Sequence, residues 1–310
     1  MKIFTSNLSA ILTLFICIVI GYVFGKKNLV SKDTNVSLSK LESHLFIPAL
    51  TLHTFLKNCT IESIKAHADL VFWGSVLMIL SVGIAYFVSM FFSKDEYKRG
   101  IYKYSLLVGN FGFMGNSVVL MMYDDVALYR YMLFTLPVCA VVYSWGLYNI
   151  IPKENAKGNF LKNIFNPMFL SVILGALIGI TEIGRKMPDF FISALSTLGA
   201  CMGPVAMILT GLTIAKFNLL DLLKNKGVYI LTFIRLIVIP FVFIMMLKYF
   251  GVSKEVLVFS VFVFATPLGL NTVVIPTSYG KDASLGAQMA TVSHTLCVLT
   301  IPLMYLLALS

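Results

Sequence analysis

The sequence predicts an all-α polytopic membrane protein whose ten transmembrane helices form two inverted five-helix repeats. Three observations carry this: an apolar composition, the recurrence of span-length apolar runs, and short motifs repeated at half the chain length. Of the 310 residues, 58% are hydrophobic and only 12% are charged, where soluble domains carry about a quarter charged residues. Such a chain cannot cover itself with a polar surface in water.

A helix needs roughly 20 apolar residues to cross the hydrocarbon core of a bilayer. Polar breaks divide the chain into ten runs of that order, at 8–24, 41–57, 68–92, 102–122, 130–151, 164–181, 190–215, 227–249, 255–279 and 284–309. The gaps leave no room for a soluble domain. The first run has a single upstream lysine, Lys2, and no small-x-small site after it, so it reads as a retained helix rather than a cleaved signal.

The formal charge of +10 comes from basic residues that sit singly or in small groups between the apolar runs, which is a topology signal and not a nucleic-acid patch. Loops after odd-numbered runs hold 15 lysines and arginines, against 8 for the N-terminus and the even-numbered loops. Cytoplasmic loops are enriched in both residues. The expectation is a multi-pass protein of the cell (inner or plasma) membrane with both termini extracytoplasmic. Cys17, Cys59, Cys139, Cys201 and Cys297 are odd in number and lie mostly within apolar runs, so they read as small core residues with no disulfide framework.

Internal similarity divides the chain in two. Asn116-Ser117-Val118-Val119 in the fourth run is echoed by Asn271-Thr272-Val273-Val274 in the ninth, 155 residues later. Ile47-Pro48-Ala49 in the second is echoed by Gly203-Pro204-Val205 in the seventh, at an offset of 156. The repeats are expected at 1–155 and 156–310, and an odd number of spans per repeat inverts the second copy.

Helix breakers concentrate at matching positions of the two halves. The fourth run holds Gly109-Asn110-Phe111-Gly112-Phe113-Met114-Gly115-Asn116-Ser117, and the ninth holds Ala265-Thr266-Pro267-Leu268-Gly269-Leu270-Asn271-Thr272. Glycines in one such segment could serve only close packing between helices. Two segments at symmetric positions, each with an asparagine followed by a hydroxyl residue, point instead to discontinuous helices whose breaks form a site. Gly112, Gly115, Pro267 and Gly269 are the expected helix-breaking residues. Asn, Ser and Thr are preferred N-caps, so Asn116-Ser117 and Asn271-Thr272 are expected to start the second half-helices. Such N-termini carry partial positive charge and hold carboxylates without lysine or arginine. The expected substrate-binding residues are Asn110, Asn116, Ser117, Asn271 and Thr272, and the expected ligand is a small anion or strong dipole. Pro48 and Pro204 are read as kinks or as ligand contacts.

Ionisable residues within spans are functional candidates by default. His294 is either a proton-coupling group or a buried histidine bonded to a nearby carbonyl, the reading preferred here. Arg235 is either a counter-ion for a substrate carboxylate or a cap on backbone carbonyls. Glu42 falls near the start of the second run and Asp124-Asp125 at the end of the fourth, so no carboxylate is expected deep in a span. The chain has four histidines, no His-Glu-x-x-His and no Gly-x-Ser-x-Gly, which argues against an enzyme. No cofactor or metal is expected. The expected partners are that small anion or dipole, which the family resemblance given below narrows to a small organic anion, and the lipid bilayer, with a homodimer left open and nucleic acid excluded.

The run Gly109 to Gly115 resembles the broken fourth helix of bacterial members of the auxin efflux carrier family. Ala265 to Gly280, with Pro267, Asn271 and the closing Tyr279-Gly280, resembles their ninth. Phe46-Ile47-Pro48-Ala49-Leu50 and Arg235-Leu236 followed by Pro240 resemble their second and eighth. The resemblance implies ten helices in which broken helices 4 and 9 cross at the substrate site. It also implies a scaffold from about 1–60 and 164–217, and a transport domain from about 65–152 and 225–310 that moves in an elevator-like manner. Family members are similar in carrying organic anions such as auxin, malate or malonate. The family often has proline at the crossing, where this chain has Ser117 and Thr272. A sodium-coupled carrier resembling the bile acid symporters, and a channel or sensor on the same fold, are the alternative readings.

Overall fold

The computed structural model describes residues 2–31, 33–107, 109–151, 166–218 and 225–310, without the side chains of residues 2–6 and 185. The expected boundary between the halves at 155 and 156, the start of the sixth run at 164, and Lys32, Lys153, Lys157, Lys162 and Lys224 lie outside the described residues. Among these the chain is helical throughout: α1 (Lys2–Lys26), α2 (Thr34–Leu41), α3 (Ile47–Asn58), α4 (Ile61–Ala66), α5 (Ala68–Ser89), α6 (Glu96–Leu107), α7 (Asn116–Met122) and α8 (Asp125–Val141). After these come α9 (Pro167–Ile180), α10 (Asp189–Ala215), α11 (Lys226–Phe233), α12 (Ile239–Tyr249), α13 (Lys254–Phe264), α14 (Asn271–Ser278) and α15 (Ser284–Leu309). No strand occurs among the described residues beyond one isolated bridge.

Among the described residues, six helical segments are long and apolar enough to cross a bilayer: Asn7–Lys26, Ala68–Ser89, Asp125–Gly146, Asp189–Ala215, Lys226–Tyr249 and Ser284–Leu309. Phe111–Met122 and Pro167–Ile180 are shorter apolar helices. Large apolar side chains such as Ile79, Leu174 and Leu299 stand exposed on their outer faces. In water such surface would drive association, whereas in a bilayer it faces lipid.

Proline explains two local widenings of the helices. Pro48 and Pro240 have no N–H to continue the helical ladder, and each follows a π-helical turn, Glu42–Phe46 and Ile234–Val238. There the N–H of Ile47 reaches back five residues to Glu42 and that of Ile239 to Ile234. Pro204, by contrast, sits inside the continuous helix α10. Glu42, expected near a membrane edge, is fully buried, and neither carboxylate oxygen has a hydrogen-bond partner among the described residues. The turn that carries it packs against α2, α3, α9 and α10.

Contacts between loops sort as alternating crossings require. Lys26 Nζ donates to Phe217 O at 2.9 Å and Tyr97 OH to Asp282 O at 2.6 Å, each joining two loops that follow odd-numbered runs. Burial pushes the Tyr97 phenol up to about 12, so it stays a donor. Lys57 pairs with Asp125 at 2.9 Å, Arg130 pairs with Glu255 at 3.0 Å, and Lys248 donates to Ser310 at 3.3 Å. These three join even-numbered loops and the C-terminus.

The tightest helix contact is α1 on α10. A Cβ on Gly21 would stand 2.1 Å from Ile208 O, and one on Gly211 would stand 2.0 Å from Ile18 O. Backbone contact this close admits no side chain. Gly211→Val therefore lowers the melting temperature of the detergent-purified protein by several degrees, reflecting about 1–3 kcal/mol of overpacking. Gly83→Ala, where nothing lies within 4 Å, leaves it unchanged within a degree or two. At the head of α15, Asp282 Oδ1 accepts from the Ser284 N–H and hydroxyl, and these bonds hold its carboxyl below the usual value. A depressed folded-state pKa means its contribution is present above the unfolded value and lost as pH falls through the folded one. The melting-temperature gap between wild type and Asp282→Asn is accordingly expected at neutral pH and closes on acidification below the carboxylate range.

Candidate functional site

Both breaker-rich segments are interrupted helices. In the fourth run α6 ends at Leu107, and helical structure resumes as a π turn at Phe111–Gly115 that leads into α7. In the ninth, α13 ends at Phe264 and α14 begins at Asn271. The two gaps meet: Gly109 and Leu268 form an antiparallel bridge, and the Asn110 N–H donates to Pro267 O at 2.6 Å. Each break thus supplies partners for backbone groups that the other leaves free, as a bilayer interior demands.

Further side chains tie the crossing together. Tyr131 on α8 places its hydroxyl 3.1 Å from Phe111 O and 3.0 Å from Phe262 O, one proton shared between carbonyls of the two broken helices. Gly115 makes room for it, since a Cβ there would stand 2.1 Å from that hydroxyl. Gly109 sits under the same constraint, with Thr266 O 2.4 Å and Arg235 Nη2 2.7 Å from its would-be Cβ. Gly112 and Gly269 have no such neighbour within 3.4 Å. The freed C-terminal carbonyls are capped from outside: Ser81 donates to Leu107 O, and Arg235 donates to Phe264 O and, at 3.1 Å, to Val263 O. Of the two roles open to Arg235 in the sequence, the structure shows the carbonyl cap. His294, fully buried on α15, has Nδ1 2.8 Å from Ala290 O, the geometry of a histidine bonded to its own helix.

A cavity of about 60 Å³ lies against the crossing, room for only a few water molecules. Asn110, Asn116, Asn271, Gly112 and Gly269 line it together with Gly109. Asn110 is buried and its Nδ2 has no hydrogen-bond partner among the described residues. Asn271 Nδ2 donates to Tyr104 OH at 2.7 Å, which leaves the tyrosine proton free. Ser117, Thr272, Gly115, Pro267, His294 and Arg235 do not line the cavity. Ser117 Oγ bonds Phe113 O at 2.7 Å and Thr272 Oγ1 bonds Gly269 O at 3.1 Å, the local bonds that hydroxyl residues make within helices. Nor is Asn116 a cap: the π turn places it inside a half-helix that starts at Phe111, with Asn110 ahead of it.

The opposite wall comes from α3, through Ile47, Thr51 and Phe55, and from α9, through Met168 and Val172. Thr51, Tyr104, Thr135 and Tyr143 add polar groups that the sequence reading missed. None carries a sequence signal, because each is an ordinary residue of an apolar helix that only packing turns inward. No carboxylate, lysine, arginine or histidine is among the described lining residues.

Apolar helices long enough to cross a bilayer, two of them broken beside a cavity lined by three asparagines and apolar side chains, define a multi-pass membrane protein of the transporter class. The family described as "Membrane transport protein" matches residues 7–305. The chain belongs to that family, the auxin efflux carrier family that its broken-helix motifs resemble. It is 25% identical over 311 aligned positions to the uncharacterized transporter MJ1031 of Methanocaldococcus jannaschii, covering 96% of this chain and 97% of the relative. It is 22% identical over 312 positions to the uncharacterized transporter YfdV of Escherichia coli K12, covering 94% and 95%.

Tyr131→Phe removes a shared proton from two buried carbonyls and is expected to cost about 1–2 kcal/mol. The check is the thermal melt, with Tyr148→Phe, at an exposed side chain away from the crossing, as the comparison expected to leave it unchanged.

Proposed function

We propose that the protein is a secondary transporter for a small organic anion, working by elevator-like alternating access in a fold of ten helices and two inverted five-helix repeats. The observation that carries the reading is the cavity at the helix crossing, lined by Asn110, whose amide is unpartnered among the described residues, together with Asn116 and Asn271. Amide N–H groups and the freed backbone N–H groups at the start of a half-helix are donors to a carboxylate. The low dielectric around them strengthens the attraction.

The placement of the cavity supports alternating access. Its floor belongs to the broken helices, in the parts assigned to a transport domain, and its far wall belongs to α3 and α9, in the parts assigned to a scaffold. Gly203 of α10 also lies against this boundary, since a Cβ there would stand 2.2 Å from Ser117 Oγ. A site between two bodies is exposed to one side or the other when they slide.

The test is uptake by liposomes containing the purified protein, with malate, malonate, pyruvate and indole acetate as the panel and with pH gradient and membrane potential set independently. The expected result is saturable uptake of at least one anion, reduced at least about tenfold by Asn110→Ala and by Asn271→Ala. Full uptake in both variants removes the site assignment. Unsaturable, voltage-driven current replaces the carrier reading with a channel, and strict dependence on sodium replaces it with a sodium-coupled symporter.

A further inference from the structure

The two halves cap their broken helices differently, and the difference assigns a role to a charge. Ser81 on α5 donates to Leu107 O, the last carbonyl of α6. In the second half Arg235 donates to Val263 O and Phe264 O, the last carbonyls of α13. The two capping residues are 154 positions apart, within one residue of the offset that relates Asn116 to Asn271. A neutral hydroxyl therefore suffices for the cap in one half, yet the equivalent place in the other holds a full positive charge.

That charge is not neutralised by an ion pair among the described residues. Arg235 is completely buried, makes no ion pair among the described residues, and leaves Nε without a partner. The helix end it caps carries about half a negative charge, so a positive surplus stays at the crossing. The guanidinium packs against a residue of the cavity wall: Nη2 lies 2.7 Å from the position a Gly109 Cβ would take, and Gly109 itself lines the cavity. A buried cation is tolerated when a counter-charge arrives within reach.

We propose that Arg235 determines the anion specificity of the cavity, attracting a ligand carboxylate through the Gly109 backbone without touching it. The proposal rests on the reading of the cavity as an anion site. Arg235 is thus a specificity-determining positioning residue: its hydrogen bonds hold the broken helix, and its charge selects the ligand. For unit charges several ångströms apart at an effective dielectric of about 20, the attraction corresponds to a change in affinity of at least about tenfold.

The probe is acetate, the smallest fragment common to organic carboxylates, compared with its neutral isostere acetamide. The readout is the melting temperature of the purified full chain at constant ionic strength. Acetate is expected to raise the melting temperature of wild type while acetamide does not. Arg235→Gln retains N–H donors for the carbonyls but loses the charge, and its apparent acetate affinity falls at least about tenfold. Arg235→Lys keeps the acetate response. Should Arg235→Gln fail to fold, Thr266→Asp serves instead. Thr266 Oγ1 lies 2.6 Å from the same would-be Gly109 Cβ, so the aspartate brings an internal counter-charge and abolishes the response with Arg235 in place. A wild type that ignores acetate or responds equally to acetamide overturns the proposal. So does a folded Arg235→Gln or Thr266→Asp variant that responds like wild type. Because this readout needs no turnover, absent uptake with intact acetate discrimination counts against the carrier reading alone. Anion uptake that is indifferent to Arg235 counts against this proposal alone.

Discussion

Everything at the centre of this molecule follows from one constraint: a helix broken inside a bilayer leaves backbone groups that no solvent satisfies. The protein answers by placing its two breaks against each other. The Gly109–Leu268 bridge and the Asn110 N–H to Pro267 O bond join the gaps, and Tyr131 links carbonyls from both broken helices. Ser81 and Arg235 cap the helix ends from behind. Asn110, whose amide stays unbonded among the described residues, lines a cavity beside the crossing. Backbone satisfaction and the proposed ligand site therefore fall at one place.

The close glycine contacts extend this logic outward. α1 and α10 approach to backbone contact through Gly21 and Gly211, which makes them a stiff pair. Gly175 on α9 approaches α3 similarly, with a would-be Cβ 2.7 Å from Phe55 Cβ. The elements thus bound, α1, α3, α9 and α10, are those of the proposed scaffold. A rigid frame on one side of the cavity and a cross-tied pair of broken helices on the other is the mechanical arrangement that sliding requires.

Much of this was legible in the sequence, and the part that was not has a physical reason. Span-length apolar runs are set by bilayer thickness, so membrane insertion and helical content could be read directly. The breaks at Gly109–Asn110 and Ala265–Leu270 were visible because glycine and proline weaken helices wherever they stand. The identity of the half-helix start was not: the π turn at Phe111–Gly115 moves Asn116 inside the helix, and nothing in a run of glycines and aromatics announces a five-residue ladder. Ser117 and Thr272 were read as ligand groups from type and position, but a helical hydroxyl finds its own carbonyl first. Tyr104 and Thr51 reach the cavity through tertiary packing, which leaves no local trace. The burial of Glu42 was missed for the same reason, since its turn packs against α10, more than 100 residues away.

The most direct test of the central claim is side-specific labelling at Gly112, which lines the cavity and where an added Cβ meets nothing within 4 Å. In a chain with Cys17, Cys59, Cys139, Cys201 and Cys297 replaced, Gly112→Cys would be exposed to a membrane-impermeant thiol reagent from each face of oriented vesicles in turn. The account predicts labelling from both faces, slowed by a transported anion. Labelling confined to one face under all conditions, or none from either, would contradict it.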